Sequence, residues 1–329
     1  MKLLLELSME CESLARSEAV SVGRLLGSRS DVVAHERGIL VLDTDADPVA
    51  FADRMALCHS VSEHLCSCQP EDVEAMSSSI DIPGPVCVHS TRIGTSHEGV
   101  DLDQVNRSVG AIFGQSVGVN IHRPTSELRV VYSEGAHLGR LIGLVNRAGY
   151  ERRKTRNMPF DHPVSIHPKF ARCLVNLTEA RPGTRVLDPF CGTGAIVTEA
   201  ALAGNEAIGS DVSERMIEGA RSNMASVGAK GILHLCDVGS IGKLVPRVDG
   251  VATDPPYGRS SSTNGEPVSD LLLRAMRSVS QVLDRGSKMA IVVHDSSLIA
   301  DYDGFELLES HELWVHRSLT RHFQILRRR

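Results

Sequence analysis

Four runs of strand-forming residues close on an aspartate: Val186-Leu187-Asp188, Ile208-Gly209-Ser210-Asp211, Leu235-Cys236-Asp237 and Gly250-Val251-Ala252-Thr253-Asp254. Helical spacing over 194–203 and 213–227 separates the first three, and a further helix over 268–283 precedes a strand over 288–294. Strands that alternate with helices in this way build βαβ units, so the pattern predicts a doubly wound parallel sheet. Ligands of such sheets bind beyond the carboxyl ends of the strands, where these aspartates stand. Two long strand-like runs, 305–315 and 319–326, follow with no helix between them, which predicts a terminal antiparallel hairpin.

The first run continues as Pro189-Phe190-Cys191-Gly192-Thr193-Gly194 and opens a helix. Glycines there let backbone approach a ligand, and a helix N-terminus attracts an anionic group. The spacing is not that of a nicotinamide fingerprint, because Val197 occupies the third glycine position. Asp188 is placed to meet a cation, and the amino group of S-adenosylmethionine is one. Asp211, twenty-three residues after Asp188, can accept both hydroxyls of a ribose. Asp237 can meet an adenine edge. Each aspartate alone reads equally well as a helix cap; at successive strand ends they outline a nucleoside site.

Thr253-Asp254-Pro255-Pro256-Tyr257-Gly258 then ends the fourth strand. Two prolines remove two backbone donors and leave carbonyls as acceptors. An exocyclic base amine is a poor nucleophile, because its lone pair is delocalised into the ring. Asp254 and the Pro255 carbonyl can accept its two N–H bonds, favouring a pyramidal nitrogen aligned with a methyl donor. Tyr257 can stack on a base taken out of its helix.

The chain of 329 residues exceeds the length at which one core keeps growing, so two or three domains are expected. Residues 1 to about 45 read as strand, helix and two strands around His35-Glu36-Arg37-Gly38, a small α+β unit. A second α+β pattern follows from Pro48: helix to Leu57, strand 60–66, helix from Pro70, strand 86–89, helix 101–113, and strands 117–121 and 127–132. Periodicity is then lost between about Leu141 and Asp161, which suggests a linker.

Net charge is −6, but unevenly spread. The first hundred residues carry seven Lys/Arg against sixteen Asp/Glu, whereas Arg140, Arg147, Arg152, Arg153, Lys154, Arg156, Lys169 and Arg172 face only Glu151 and Asp161. A local basic surface suffices for a phosphate backbone, so RNA binding stays open beside the plainer reading of a solvated linker face. Eight irregularly spaced cysteines fit reduced intracellular thiols. Cys58, His59, His64, Cys66, Cys68 and Cys87 invite a zinc reading, but Cys66-Ser67-Cys68 is C-x-C without a second paired knuckle, and no metal is expected. No apolar run reaches membrane-spanning length, and Glu6 interrupts the N-terminal apolar residues. A cytoplasmic protein is expected.

These motifs resemble the class I S-adenosylmethionine-dependent methyltransferases that act on amino groups. More closely, Val164-Ser165-Ile166-His167-Pro168-Lys169-Phe170-Ala171-Arg172, Asp254 through Gly258-Arg259-Ser260-Ser261, and His316-Arg317-Ser318-Leu319-Thr320-Arg321 resemble the archaeal tRNA guanosine-N2 methyltransferases acting at position ten. Val119-Asn120-Ile121-His122-Arg123-Pro124 and Gly139-Arg140 resemble the tail of a THUMP domain. The resemblance implies a ferredoxin-like unit over 1–45, a THUMP RNA-binding domain over 46–143, a basic linker over 144–160 and a seven-stranded Rossmann-like methyltransferase domain over 161–329. It further implies that Asp188, Pro189, Gly192, Gly194, Asp211, Asp237, His162 and Pro163 hold S-adenosylmethionine and that Asp254, Pro255, Pro256 and Tyr257 hold guanine. Arg123, Arg140, Arg152, Arg153, Lys154, Arg317 and Arg321 are the implied RNA contacts, with tRNA rather than DNA as partner. Eukaryotic relatives of this family use a small activator protein; the sequence leaves that need open here. Two other readings fit the same residues: N6-adenine methylation of DNA or RNA, and a catalytically silent RNA-binding subunit.

Overall fold

The computed structural model describes the whole chain except residues 164, 259–264, 299–301, 303 and 318. Val164, Arg259, Ser260, Ser261 and Ser318 of the family-like motifs therefore lie outside the described residues. The chain divides into two compact units, 1–16 with 26–53 and 58–145, and 17–25 with 54–57 and 146–329.

In the first unit, β1 (Lys2–Leu7), β2 (Ser30–Glu36), β3 (Ile39–Thr44), β4 (Cys58–Cys68), β5 (Val86–Arg92), β6 (Ser126–Tyr132) and β7 (Ala136–Leu144) make one seven-stranded sheet in the order β2-β3-β1-β4-β7-β6-β5. Its helices are the first turn of α1 (Glu12–Leu26), then α2 (Pro48–Arg54), α3 (Val73–Ser77) and α4 (Leu102–Gly114). Leu3, Leu4, Leu5 and Leu7 are buried, and so is Glu6 among them, paired with Arg129 at 2.8 Å, so β1 is covered on both faces rather than alternating. Asp101 starts α4 by accepting a hydrogen bond from Gln104 N.

Three expectations for this region need correction. The segment 117–121 is not a strand: the N–H groups of Ser116, Val117 and Gly118 all turn back to the Phe113 carbonyl, completing the end of α4. The segment meets the sheet as an isolated parallel bridge between Val119 and Val86, in which Gly118 O accepts from Val86 N and Asn120 N donates to Val86 O. The strand β7 has no counterpart in the sequence reading, which put loss of pattern from Leu141 onward. Beyond it, residues 147–152 form α5 (Arg147–Arg152), capped by the Asn146 side chain accepting from Gly149 N.

The second unit is the doubly wound sheet. After α6 (Pro168–Leu177) come β8 (Arg185–Asp188), α7 (Ala195–Leu202), β9 (Glu206–Asp211), α8 (Glu214–Ser226), β10 (Gly231–Leu235), α9 (Ile241–Leu244), β11 (Val248–Thr253), α10 (Val268–Val282), β12 (Leu283–Val293), β13 (Phe305–His316) and β14 (Leu319–Arg328). Strand order is β10-β9-β8-β11-β12-β14-β13. Five strands are parallel, and the β13–β14 hairpin joins β12 antiparallel, as the sequence pattern predicts. Chain direction along the sheet reverses between β8 and β11, which opens a crevice at their carboxyl ends.

The helix α6, absent from the sequence reading, buries every residue except Lys169. Its polar members survive burial by pairing. Arg172 Nη2 lies 3.0 Å from Glu199, and Asn176 Nδ2 donates to Glu18 at 2.8 Å. Burial pushes the Glu18 carboxyl up to about 7, against the pull of its backbone and Asn176 donors.

Candidate active site

At the carboxyl end of β8 and β11 lies a cavity of about 1070 Å³, large enough for a nucleoside cofactor and a base together. Asp188, Pro189, Gly192, Asp211, Asp237, His162, Pro163, Asp254, Pro255, Pro256, Tyr257 and Arg321 all line it. Residues spread over 160 positions of sequence thus converge: most close a strand of the sheet or follow one, while Arg321 sits near the start of β14 and His162 and Pro163 precede α6.

Asp188 is 2% exposed. Its Oδ1 accepts from Thr253 Oγ1 at 2.7 Å and from Phe190 N at 3.1 Å. Burial nevertheless pushes its carboxyl up to about 7, with Asp254 and Asp211 adding to the rise. A cation entering the cavity favours the ionised form. Asp211 is oriented by the glycine loop itself: Gly192 N donates to Oδ2 at 3.0 Å and Ser213 N to Oδ1 at 2.9 Å. Each oxygen keeps a lone pair for a hydroxyl. Asp237 is differently engaged, because Arg274 of α10 donates to its Oδ1 and also reaches Glu266 at 2.6 Å. Both neighbours line the cavity, and the Glu266 bond first, then Asp237, holds the guanidinium firmly protonated.

The two loop glycines do different jobs. Gly192 has φ +48°, and a Cβ built there meets nothing within 4 Å, so its bare backbone faces open cavity. Gly194 has φ +82° and starts α7; a Cβ there would stand 2.9 Å from that of Ala220, and the residue does not line the cavity. Its glycine is explained by packing of α7 on α8.

The segment before α6 is fixed by one side chain of α8. Asn223 accepts from Phe160 N and donates to Phe160 O, both at 2.9 Å, and donates to Thr193 O at 3.1 Å. This clamp carries His162 and Pro163 to the cavity wall.

On the opposite wall the Tyr257 hydroxyl donates to Asp254 Oδ1. Burial raises the Asp254 carboxyl above its ordinary range; the charge of Arg321 and the Tyr257 bond pull it back down. Arg321 also hydrogen-bonds Tyr257, while its Nε is buried with no partner among the described residues. The Tyr257 ring lies 5.6 Å from that of His294, at the end of β12.

Of the seven basic residues named from sequence, Arg123 and Arg140 belong to the first unit and the other five to the second. Arg123, Arg152 and Arg317 are exposed. Arg140 makes two bonds to Glu63 Oε2, at 2.9 and 2.6 Å. Arg153 Nε bonds the buried Glu199 at 2.6 Å, and Lys154 pairs with Glu151. Arg321 belongs to the cavity rather than to an outer face. Sequence reasoning missed Arg274, Glu266, His294 and Thr253. For Thr253 the signal existed, since it precedes Asp254 on a parallel strand beside β8; the others are brought in by tertiary packing alone. All eight cysteines are free thiols, and the described residues contain no group of three or more His, Cys, Asp or Glu arranged to hold a metal.

Residues 153–322 match the family model described as UPF0020: RMKL-like, methyltransferase domain. The chain is 30% identical over 336 residues to a tRNA (guanine(10)-N2)-dimethyltransferase of Methanothermobacter thermautotrophicus, covering 100% of both chains. It is also 30% identical over 306 residues to one of Pyrococcus abyssi, covering 89% of this chain and 91% of that one. Among solved structures, TrmN from Thermus thermophilus superposes with a TM-score of 0.58 at 20% identity over 100% of each chain, a likeness of fold. The geometry of the cavity, the family match over more than half the chain and the full-length relatives lead to one conclusion: this chain belongs to the archaeal tRNA (guanine(10)-N2)-methyltransferase family, on the class I methyltransferase fold.

Proposed function

We propose that the protein methylates the exocyclic N2 of guanosine 10 in tRNA, twice in succession, using S-adenosylmethionine, and that it works in the cytoplasm. The observation that carries this reading is the placement of Asp254-Pro255-Pro256-Tyr257 in the same cavity as Asp188, Asp211 and the open backbone of Gly192. The Methanothermobacter and Pyrococcus relatives, tRNA (guanine(10)-N2)-dimethyltransferases, supply the base, the position and the second methyl group.

The residues fit the cofactor on their own chemistry. Asp211 presents a carboxylate already aimed by two backbone donors, the Gly192 backbone is bare, and Asp188 is a buried acid that a cation would ionise. When bound, the cofactor supplies an electrophilic methyl on a sulfonium. Tyr257 occupies Asp254 Oδ1, leaving Oδ2 and the Pro255 carbonyl to accept the two amine N–H bonds. Held so, the nitrogen lone pair is turned out of conjugation toward the incoming methyl. The charge of Arg321 opposes the rise that burial imposes on Asp254 and so favours the carboxylate, the form that can grip the amine and receive its proton. No metal enters this scheme. The first unit, in this reading, is a THUMP-type RNA-binding module that presents the tRNA.

The test is incubation of unmodified tRNA with the protein and S-adenosylmethionine, followed by nucleoside mass spectrometry. N2-methyl- and N2,N2-dimethylguanosine at one nucleotide are expected, and Asp254→Ala abolishes both while the cofactor still binds. N6-methyladenosine as the product, or full turnover by Asp254→Ala, overturns the assignment.

A further inference from the structure

We propose that Trp314 is a stacking platform for an RNA base next to the nucleotide held in the cavity. The inference rests on the tRNA reading above and adds a contact to it. Trp314 is the single tryptophan of the chain and is 68% exposed. A single exposed apolar side chain needs no explanation by itself; the position of this ring is what makes it informative.

The hairpin register gives that place. Trp314 stands opposite Thr320, and directly opposed residues of an antiparallel pair project from the same face. Thr320 lines the cavity, as do Val315, His316, Leu319 and Arg321 around the turn. Trp314 is not itself a lining residue; next to Val315 and opposite Thr320, which are, it stands just outside the rim of the cavity. Val315 beside it is 38% exposed, and the exposed Arg317 follows, offering a cation for a phosphate. The nearby Glu312 carboxylate, also exposed, is met by His322 at 3.5 Å. A π-face with an adjacent cation suits a nucleotide, because every base offers a face to stack and every linkage a negative charge.

Having one tryptophan makes the test direct. Unmodified tRNA titrated into the full-length protein is expected to quench the indole emission, saturating at the concentration where tRNA binds. Trp314→Ala is expected to raise the KM for tRNA about tenfold, with kcat and cofactor affinity unchanged, and Trp314→Phe to recover most of the loss. Unquenched emission at saturating tRNA overturns the proposal, and so does an unchanged KM in Trp314→Ala. Sedimentation run alongside decides the rival occupant: quenching that follows self-association instead of tRNA also overturns it. Because the emission assay needs no turnover, absence of methyl transfer to tRNA by the unaltered protein refutes the tRNA reading separately.

Discussion

The Tyr257 hydroxyl is committed to Asp254 Oδ1, so the aromatic residue of the amine-binding motif holds the carboxylate as well as facing the cavity. A hydrogen bond to a charged group is worth about 1.5–3 kcal/mol. If it is needed to present Oδ2 to the amine, its loss falls on the chemical step. Tyr257→Phe keeps the ring and its contact with His294, so stacking is retained. The expected result is a kcat lower by about ten- to hundredfold, with cofactor affinity unchanged by calorimetry. An unaltered kcat means that the bond does not orient Asp254.

Arg321 sets the pH range in which this arrangement works. Burial raises the Asp254 carboxyl, and the guanidinium opposes that rise. The ionised carboxylate is the working form, so activity falls as pH drops through its pKa. Removing the positive charge in Arg321→Met lifts the pKa further, and the acid limb of the kcat/KM profile moves to higher pH. Arg321→Lys is expected to hold the limb nearer its original position. An acid limb that does not move in Arg321→Met refutes the electrostatic role.

The contrast between Gly192 and Gly194 separates ligand approach from packing. Gly194→Ala brings a Cβ to 2.9 Å from that of Ala220 at a φ of +82°, so something in the α7–α8 contact must shift. A loss of about 1–3 kcal/mol is expected, read as a lower melting temperature in differential scanning fluorimetry. Gly192→Ala meets no protein atom within 4 Å and carries only its backbone strain. Its added methyl intrudes where the cofactor would lie, and at least about a tenfold rise in cofactor Kd is expected. Equal loss of stability in both variants, with cofactor affinity spared in Gly192→Ala, rules out this division.

Much of the catalytic unit is legible in sequence because its parallel strands are buried on both faces and read as unbroken apolar runs ending in turn signals. Val186-Leu187 before Asp188 and Val251-Ala252-Thr253 before Asp254 are examples, and order along the chain then places their ends together. The strand β7 escaped because Gly139 and Gly143 interrupt its pattern. A Cβ at Gly139 would stand 2.9 Å from the Glu63 carbonyl, so a residue that looks like a strand breaker is there to let strands pack closely. The helix α6 escaped because its buried Arg172 and Asn176 look solvent-facing until their partners are known. Those partners, Glu199 and Glu18, are 27 and 158 residues away.

Neighbouring arginines on α5 and just beyond it test how far the basic stretch acts on RNA. Arg153 and Arg172 both neutralise Glu199, which is 1% exposed. Breaking a buried pair leaves an uncompensated charge and costs about 3–5 kcal/mol; with Arg172 still in place, Arg153→Ala is expected to cost less than that, yet enough to lower the melting temperature measurably. Arg152 is exposed at the end of α5, so its removal should leave the melting temperature unchanged. If it touches a phosphate, Arg152→Ala weakens tRNA binding and reduces the slope of log affinity against log salt by about 1. Fluorimetry and salt-dependent filter binding on both variants separate the roles. A melting temperature unchanged in Arg153→Ala, or a salt slope unchanged in Arg152→Ala, removes the corresponding residue from the role given to it.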